Sequence, residues 1–393
     1  MTSSILSKYL TTHFIYSAEL TLGKVLGRGG FCVVSEISKI VLRHQPDVSE
    51  SNNTERLDDE HTIQNIVQDR SFMEAHCLRG SKKDCRYAIK TLLPTCRNDE
   101  QTYINGVVDL AVEARFLAVI RHPSIIKMRA MAATSPFSTT QPFFVVLDRL
   151  YDILGTRMTK WKKQKPKGMG KLLDRSGQKE KDFWIERITV AYDLASALDY
   201  LHGLNVVYRD IKPDNIGFDV RGDVKIFDFG LAKEYDPMTQ DANGLYKMTA
   251  DTGSPRYMAP EVFLGKPYNE LVDVYSFSIL LWEILQLETP YEGYTMNMLT
   301  KKVLEGGARP KCDPKWSTPI LELLRKGWGD ISQRPTTMEV MAVLSDEMGE
   351  SVYESLQKNI VDGSHRSDQS VRRTDLNKSM VSFRELQLQE GKK

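Results

Sequence analysis

Apolar positions near the start of the chain follow the periodicity of strands. From Leu20 to Leu42 they alternate with small and polar residues around a glycine cluster, which predicts strand, turn and strand. Residues 87–90 and the apolar run Phe143–Leu147 predict two further strands. Between them, Val107–Ile120 has apolar residues at helical spacing and ends before a His-Pro stop signal. This part of the chain therefore predicts a sheet with one main helix.

The pattern after residue 150 is mainly helical. Long helices are predicted over Phe183–Leu201 and Asp273–Leu287, and two closing helices over Pro319–Gly327 and Thr337–Met348. The second long helix is apolar on nearly all sides, as a helix buried within a lobe would be. We therefore expect an α+β fold of two lobes, a small lobe with an antiparallel sheet and one main helix, and a larger, mostly helical lobe.

Changes in composition predict the domain boundaries. Residues 20–348 form the expected domain, with a first lobe over 20–149 and a second lobe over 150–348. Residues 1–19 are expected to be an N-terminal tail. The polar, charged residues 349–393 are expected to be a largely disordered C-terminal tail.

Two polar stretches interrupt the domain. Residues 43–83 are rich in acidic and small polar residues and predict a surface insertion, in which the amphipathic patch Phe72–Leu78 could dock on the domain. Residues 160–181 are rich in lysine and predict a second insertion. The basic stretch is most simply a solvated face, and binding to an acidic partner, a membrane or nucleic acid is the alternative.

Composition limits the possible classes of function. The 393 residues include 53 Lys and Arg against 52 Asp and Glu. A protein that coats nucleic acid would show a strong basic excess, so we expect no nucleic-acid partner. No run of about 18 apolar residues predicts a transmembrane segment. The few scattered cysteines fit a reducing compartment, so we expect a cytoplasmic protein, with the nucleus as the alternative location. The cysteines have neither disulfide-type nor metal-type spacing; they are Cys32, Cys77, Cys85, Cys96 and Cys312.

Candidate chemistry begins in the turn between the first two predicted strands. Gly27–Val34 is rich in glycine, so its backbone N–H groups can approach phosphate oxygens, although a tight hairpin would use the same glycines. Lys90 ends a predicted strand and offers a point charge for phosphates, and Glu113 on the predicted helix could pair with it. Each of these features alone is equally typical of ordinary structure.

Two segments of the second lobe carry a more specific pattern. Val206–Asn215 places an acid, a lysine and an amide within six residues, and Val224–Gly230 adds another acid. Phosphoryl transfer needs an acid to accept a hydroxyl proton, a lysine to steady the phosphoryl group, and Asn with Asp to hold magnesium. Residue types, order and spacing together favour phosphoryl transfer over a polar loop followed by a hairpin.

From residue 20 to residue 344 the sequence closely resembles eukaryotic-type protein kinases, with the two insertions as interruptions. The family's motifs occur in its order. They are the glycine-rich loop, Lys90, Glu113, Tyr208-Arg209-Asp210, Asp228-Phe229-Gly230, Ala259-Pro260-Glu261, Asp273 and Arg334. The pairing of Glu261 with Arg334 that the resemblance implies is typical of protein kinases and generally absent from small-molecule kinases, which disfavours the latter.

The resemblance implies ATP and Mg2+ as cofactors and a role for each motif residue. Asp210 would be the catalytic base, and Lys212 would contact the γ-phosphate. Lys90, held by Glu113, would grip the α- and β-phosphates. The implied metal ligands are Asn215 and Asp228.

The resemblance also implies the remaining contacts of the nucleotide. The glycine-rich loop would cover the phosphates, apolar residues of the strands would wall the adenine, and Leu147 would guard the back of the pocket. The backbone from Asp148 to Leu150 would hydrogen-bond to adenine. The implied set is Leu26, Gly27, Arg28, Gly29, Gly30, Phe31, Cys32, Val33, Val34, Ala88, Lys90, Asp148, Leu150, Asn215 and Asp228.

The same motifs carry information on the substrate. Lys212 and the segment Gly253–Met258 are similar to those of serine/threonine kinases, so protein Ser and Thr hydroxyls are the expected acceptors. Residues 273–284 are most similar to the tyrosine-kinase-like branch of that class.

Regulation by phosphorylation is a further hypothesis. Arg209 beside Asp210 resembles kinases that are switched by a phosphate on the activation segment, with which the arginine pairs. Thr249 and Thr252 are the candidate sites, and an upstream kinase would be a partner. The alternative is that they are plain hydroxyls of a loop.

Three positions depart from the family's pattern. Cys32 replaces the third loop glycine, most simply as a slightly altered loop, with a redox switch as the alternative. Tyr208 replaces the usual histidine, and Gly217 replaces an apolar residue under the adenine, which could weaken nucleotide binding. None removes a phosphate-binding, metal-binding or proton-transfer group. An active kinase is therefore the leading hypothesis, and a nucleotide-binding scaffold with weak catalysis is the alternative.

Overall fold

The computed structural model describes a two-lobed chain. Parts of the predicted tails and insertions lie outside the described residues: residues 1–13 of the N-terminal tail, 44–59 and 82 of the first insertion, 165–177 of the basic insertion and 350–393 of the C-terminal tail. The described residues are 14–43, 60–81, 83–138, 141–164 and 178–349.

A six-stranded sheet forms the first lobe. Its strands are β1 (Phe14–Ile15), β2 (Leu20–Arg28), β3 (Cys32–Ile40), β6 (Tyr87–Leu92), β7 (Met128–Ala132) and β8 (Phe144–Asp148), and a short hairpin of β4 (Leu78–Arg79) and β5 (Asp84–Cys85) stands beside it. The order across the sheet is β1-β7-β8-β6-β3-β2. Neighbours are antiparallel, as predicted, except that the edge strand β1 runs parallel to β7.

The main helix of this lobe is α2 (Glu100–Val119), which begins earlier than the prediction at Val107. Asp99 caps it, because its carboxylate accepts a hydrogen bond from the backbone N–H of Thr102 at 2.7 Å. The sequence pattern does not predict the first two turns, residues 100–106, because polar residues and Gly106 interrupt the apolar spacing there.

A helix also forms within the first insertion. Helix α1 (Glu60–Ala75) follows the acidic residues, and Met73 near its end is buried, as is Cys77 just beyond it. Cys77 donates a hydrogen bond from its thiol to the carbonyl of Ile37 in β3. The end of the insertion is thus part of the lobe, in agreement with the docking expected for Phe72–Leu78.

A buried ion pair ties α1 to the start of the described chain. The Arg70 guanidinium lies 3.1 Å from the Glu19 carboxylate, and both side chains are almost fully buried. Arg70 also donates to the carbonyl of Phe14, and Glu19 accepts from the backbone N–H groups of Tyr16 and Arg43. Residues 14–19, expected to belong to the tail, are therefore packed on the first lobe, because one carboxylate gathers donors from three parts of the chain.

The second lobe is mainly helical. Its described helices include the four predicted ones, which begin at Gln178, Leu271, Thr318 and Thr337 with ends shifted by a few residues, and three that the sequence pattern did not predict. They are α3 (Leu154–Gln164), α4 (Gln178–Gly203), α5 (Pro260–Phe263), α6 (Leu271–Gln286), α7 (Met296–Met298, continued by a π-helical turn over Leu299–Leu304), α8 (Thr318–Gly327) and α9 (Thr337–Met348). As expected, α6 is buried along almost its whole length and forms the centre of the lobe.

Five short strands flank the loops of the second lobe that lie near the first lobe. Three of them, β9, β11 and β12, form a small sheet, and β10 pairs with β13. Among the described residues, no helix is long and apolar enough to cross a membrane. The strands are β9 (Asp152–Ile153), β10 (Val206–Val207), β11 (Ile216–Phe218), β12 (Val224–Ile226) and β13 (Lys233–Glu234).

The buried Arg70–Glu19 pair generates a prediction about stability. Arg70→Met removes the positive charge and leaves the Glu19 carboxylate buried without it, so we expect the free energy of unfolding to fall by about 3–5 kcal/mol. Chemical denaturation measures this change. Lys24→Met is the matched control, because Lys24 lies 3.5 Å from Glu36 but is 69% exposed and is worth at most about 1 kcal/mol. Equal effects of the two substitutions would contradict the assignment.

Candidate active site

Lys90 stands at the centre of the cleft and contacts both lobes. Its ammonium donates to Glu113 of helix α2 at 2.6 Å and to Asp228 of the second lobe at 3.0 Å. Burial alone would lower the pKa of Lys90, but the two carboxylates outweigh burial and raise it, so the side chain keeps its charge. The pairing expected between Lys90 and Glu113 is present, and helix α2 is held against the sheet by it.

A buried aspartate shapes the loop that carries the acid. The Asp273 carboxylate, on α6, accepts hydrogen bonds from the backbone N–H groups of Tyr208 and Arg209, both at 2.8 Å. Nε2 of His202 lies 3.0 Å from the same carboxylate. These bonds hold the loop in a strained form, since Arg209 has a φ of 70°. The most deeply buried helix of the lobe thus fixes the backbone next to Asp210.

Asp210 lies in a network of oriented donors. Lys212 donates to its Oδ2 at 2.7 Å, and the Asn215 amide donates to the same oxygen at 2.7 Å. The hydroxyl of Ser254 donates to Oδ1 at 2.9 Å. The carboxylate is buried and is held in one orientation, facing the residues that follow it in the loop. The residues predicted to act together are therefore brought together.

The segment before Ala259 approaches the loop closely. Gly253 has a φ of 109°, and a Cβ on it would lie 2.4 Å from the carbonyl oxygen of Arg209. Only glycine fits this approach, which seats Ser254 beside Asp210. Further along, Glu261 and Arg334 form the predicted pair, with Arg334 Nη2 donating to Glu261 Oε2 at 3.0 Å. The segment is thus anchored at both of its ends.

A buried tyrosine adds a third anchor that sequence reasoning missed. The Tyr257 hydroxyl donates to the Glu283 carboxylate of α6 at 2.7 Å. Burial raises the pKa of Glu283 to about 7, against the hydrogen bond from Tyr257 that lowers it. A buried glutamate on an otherwise apolar helix was the only sequence signal for this contact.

The glycine-rich loop joins β2 and β3, as predicted. Leu26 is half-buried, and Gly27, Arg28, Gly29 and Gly30 are exposed. Cys32, which replaces a glycine, is buried, and burial raises the pKa of its thiol to about 12. Such a thiol is protonated at neutral pH and is a poor nucleophile, which favours the altered-loop interpretation over a redox switch.

The predicted adenine-binding residues line the junction of β6 and β8. Ala88 stands opposite Leu147 in the sheet, with Val34 on the neighbouring strand β3 opposite Lys90. The carboxylate of Asp148 turns away to Arg129, with N–O distances of 2.7 and 2.8 Å. Asp148 would therefore act through its backbone alone.

Leu150 explains the unusual Gly217. A Cβ at Gly217 would lie 2.6 Å from Cδ1 of Leu150 and 3.3 Å from its Cβ. The leucine side chain thus occupies the space into which a larger residue at 217 would project. The weaker nucleotide binding expected from Gly217 does not follow from the glycine alone, because another apolar group stands beside it.

Asp109 is a further acid of the cleft that sequence reasoning missed. It lies one turn before Glu113 on α2, and its Cβ and Cγ would each contact a Cβ on Gly230 at 3.4 Å. Burial and the neighbouring Asp228 carboxylate together raise the pKa of Asp109 to about 6. Helical spacing from Glu113 was the available signal, but a lone half-buried acid does not stand out in a sequence.

The donor set fits a divalent cation. Asn215 donates from its amide nitrogen to Asp210, so its amide oxygen is the atom that it can offer a cation, and Asp228 offers the carboxylate oxygen that does not face Lys90. Oxygen ligands of this kind suit a hard cation such as Mg2+. Within the described residues, no group of three or more His, Cys, Asp and Glu is placed to hold a metal ion.

The family model described as "Protein kinase domain" matches residues 71–344. Serine/threonine-protein kinase STY17 of Arabidopsis thaliana is 31% identical over 268 residues, which cover 68% of this chain and 41% of that protein. Serine/threonine-protein kinase VIK of the same plant is 31% identical over 260 residues, 65% of this chain and 53% of that protein.

A relative from another lineage gives the same result. Probable serine/threonine-protein kinase drkC of Dictyostelium discoideum is 32% identical over 248 residues, which cover 62% of this chain and 29% of that protein. The chain spans about half or less of the length of these curated relatives.

Proposed function

Since this chain belongs to the protein kinase family, we propose that it is a serine/threonine kinase that transfers the γ-phosphoryl group of ATP to Ser and Thr hydroxyls of proteins. The observation that carries the proposal is the charge network of the cleft, in which Lys90 is paired and Asp210 is oriented. The similarity of residues 273–284 supports a place in the tyrosine-kinase-like branch.

Phosphoryl transfer would use these residues as follows. Asp210 accepts the proton of the substrate hydroxyl, whose oxygen attacks the γ-phosphorus while the bond to the leaving ADP oxygen breaks. Lys212 and Lys90 neutralise charge on the phosphates. Because the groups stand on rigid backbone, little reorganisation is needed at the moment of transfer.

Asn215 and Asp228 would hold Mg2+, which neutralises phosphate charge when bound. The glycine-rich loop Gly27–Val34 would cover the phosphates with backbone N–H groups. Leu26, Ala88 and Leu150 would enclose the adenine, together with the backbone at Asp148. We place the kinase domain over residues 20–348, and the packing of residues 14–19 on the first lobe supports a slightly earlier start.

A direct test of the proposal uses the acid. We expect Asp210→Ala to lower kcat by at least about 100-fold, because the attacking hydroxyl loses its base. Transfer of radiolabelled γ-phosphate to a generic protein substrate, followed by identification of the labelled residue type, measures it. Asp223→Ala is the matched control, since Asp223 is exposed in a turn of the same lobe and its carboxylate pairs with the exposed Arg221. Equal labelling by wild type and Asp210→Ala would leave the scaffold alternative, and label on tyrosine would contradict the substrate class.

We further propose that an upstream kinase, or the chain itself, phosphorylates the activation segment. Arg209 contacts the Leu231 carbonyl at 2.7 Å and the Tyr268 hydroxyl at 3.2 Å, and that hydroxyl donates to the carbonyl of Thr249 at 2.8 Å. Arg209 is thus linked to the backbone of the candidate site Thr249 through the Tyr268 hydroxyl. The second candidate, Thr252, follows three residues later.

The expected result of replacing both threonines by alanine is a loss of activity of about tenfold or more, since a phosphate paired with an arginine contributes a charge-assisted hydrogen bond. Turnover is compared before and after phosphatase treatment. Unchanged turnover of the double variant, together with insensitivity of the wild type to phosphatase, would exclude this regulation. Thr159→Ala is the control, because Thr159 is an exposed threonine of helix α3 and lies outside the activation segment.

A further inference from the structure

Helix α2 contains a buried glycine in its first half. Gly106 is seven residues into a 20-residue helix. Alanine is the better helix former, because glycine loses more backbone freedom on folding. We therefore expect, among the neighbours of Gly106, a contact that only glycine allows.

The surroundings leave no room for a side chain. A Cβ on Gly106 would lie 2.9 Å from Cδ2 of Leu92, 3.0 Å from Cβ of Phe31 and 3.4 Å from Cγ of Phe31. The leucine methyl group can rotate away, but Cβ of Phe31 is bonded directly to the backbone of the glycine-rich loop. The helix and the loop are in contact because residue 106 has no side chain.

The backbone of Phe31 is fastened on its other side. Its carbonyl accepts a hydrogen bond from the backbone N–H of Leu93 at 2.8 Å and one from the thiol of Cys96 at 3.4 Å. Phe31 packs against the apolar core, although the glycines that precede it in the loop are exposed. The tip of the loop is thus held between helix α2 and the chain that leads into it.

The same helix carries Glu113 seven residues later, about two turns along and on the same face. Glu113 holds Lys90 at 2.6 Å. One rigid element therefore contacts the loop at Gly106 and the phosphate-binding lysine through Glu113.

We infer that Gly106 is a positioning residue, whose missing side chain seats Phe31 on helix α2 and so makes the glycine-rich loop and Lys90 hold the nucleotide phosphates as one unit. That the ligand is ATP rests on the proposed function. The geometry rests on the contacts of Phe31 described above.

A side chain at residue 106 must displace one of its two neighbours. If the loop moves, its backbone N–H groups shift away from the phosphates. If the helix moves, Glu113 is drawn away from Lys90. Either displacement weakens the grip on the nucleotide, whereas the exchange of glycine for alanine by itself favours the helix.

The test is a double-mutant cycle on ATP affinity with Gly106→Ala, Phe31→Gly and the double variant. Phe31→Gly removes both Phe31 atoms that a Cβ at residue 106 would meet. We expect Gly106→Ala to raise the Kd and KM for Mg2+-ATP by about tenfold with a smaller change in kcat. In the Phe31→Gly background, Gly106→Ala should have no further effect. An unchanged Kd, or effects that add, would overturn the inference.

Two controls separate this role from a general effect on folding. Gly155→Ala also replaces a helical glycine, but its Cβ would meet nothing closer than 3.9 Å, so the Kd should stay at the wild-type value. Hydrogen exchange at the Leu93 amide needs no nucleotide, and we expect Gly106→Ala to lose protection there. Retained protection with a raised Kd would show that the helix has moved instead of the loop, and retained protection with an unchanged Kd would overturn the inference. A wild-type protein that binds no ATP would instead contradict the proposed function.

Discussion

The arrangement of the cleft depends on one ammonium group held between two carboxylates. Lys90 comes from the sheet, Glu113 from helix α2 and Asp228 from the second lobe, and they meet within 3.0 Å. The Glu113 side chain is almost fully buried, so its charge is tolerated only because Lys90 compensates it. The Lys90–Glu113 pair fixes the helix against the sheet, and the Lys90–Asp228 contact joins the two lobes. Loss of the pairing would release all three elements at once.

The second lobe supplies rigid backbone to meet this charge network. Asp273 at the buried start of α6 holds the N–H groups before Asp210, and Gly253 lets the activation segment come within reach of the same loop. The left-handed backbone at Arg209 and Asp228 is strain that these contacts sustain. Asp210 therefore stands on a loop that a buried helix organises, while helix α2 holds Lys90 through Glu113.

Much of this could be predicted from the sequence, because the motifs lie in short segments whose spacing reflects chemistry. The long helices of the second lobe were found because their apolar periodicity is unbroken, as in α6. The first turns of α2 were missed because the contact with Phe31 requires Gly106, and this interrupts the pattern. The ion pair of Arg70 could not be predicted, because Arg70 is one charge among many in a polar insertion. Its partner Glu19 lies 51 residues away, and only folding brings the two together. Leu150 beside Gly217 shows the same limit, because compensation between distant residues has no local signal.

The most direct measurement of the central claim is the turnover of Glu113→Gln compared with its thermal unfolding. The substitution keeps the shape of the side chain and removes the charge that holds Lys90. We expect kcat/KM to fall by about 100-fold, the scale of losing one charge-assisted contact at the reacting phosphates, in a protein that still unfolds cooperatively. A kcat/KM within about twofold of the wild-type value, in a folded variant, would contradict the claim that this ion pair organises the active site.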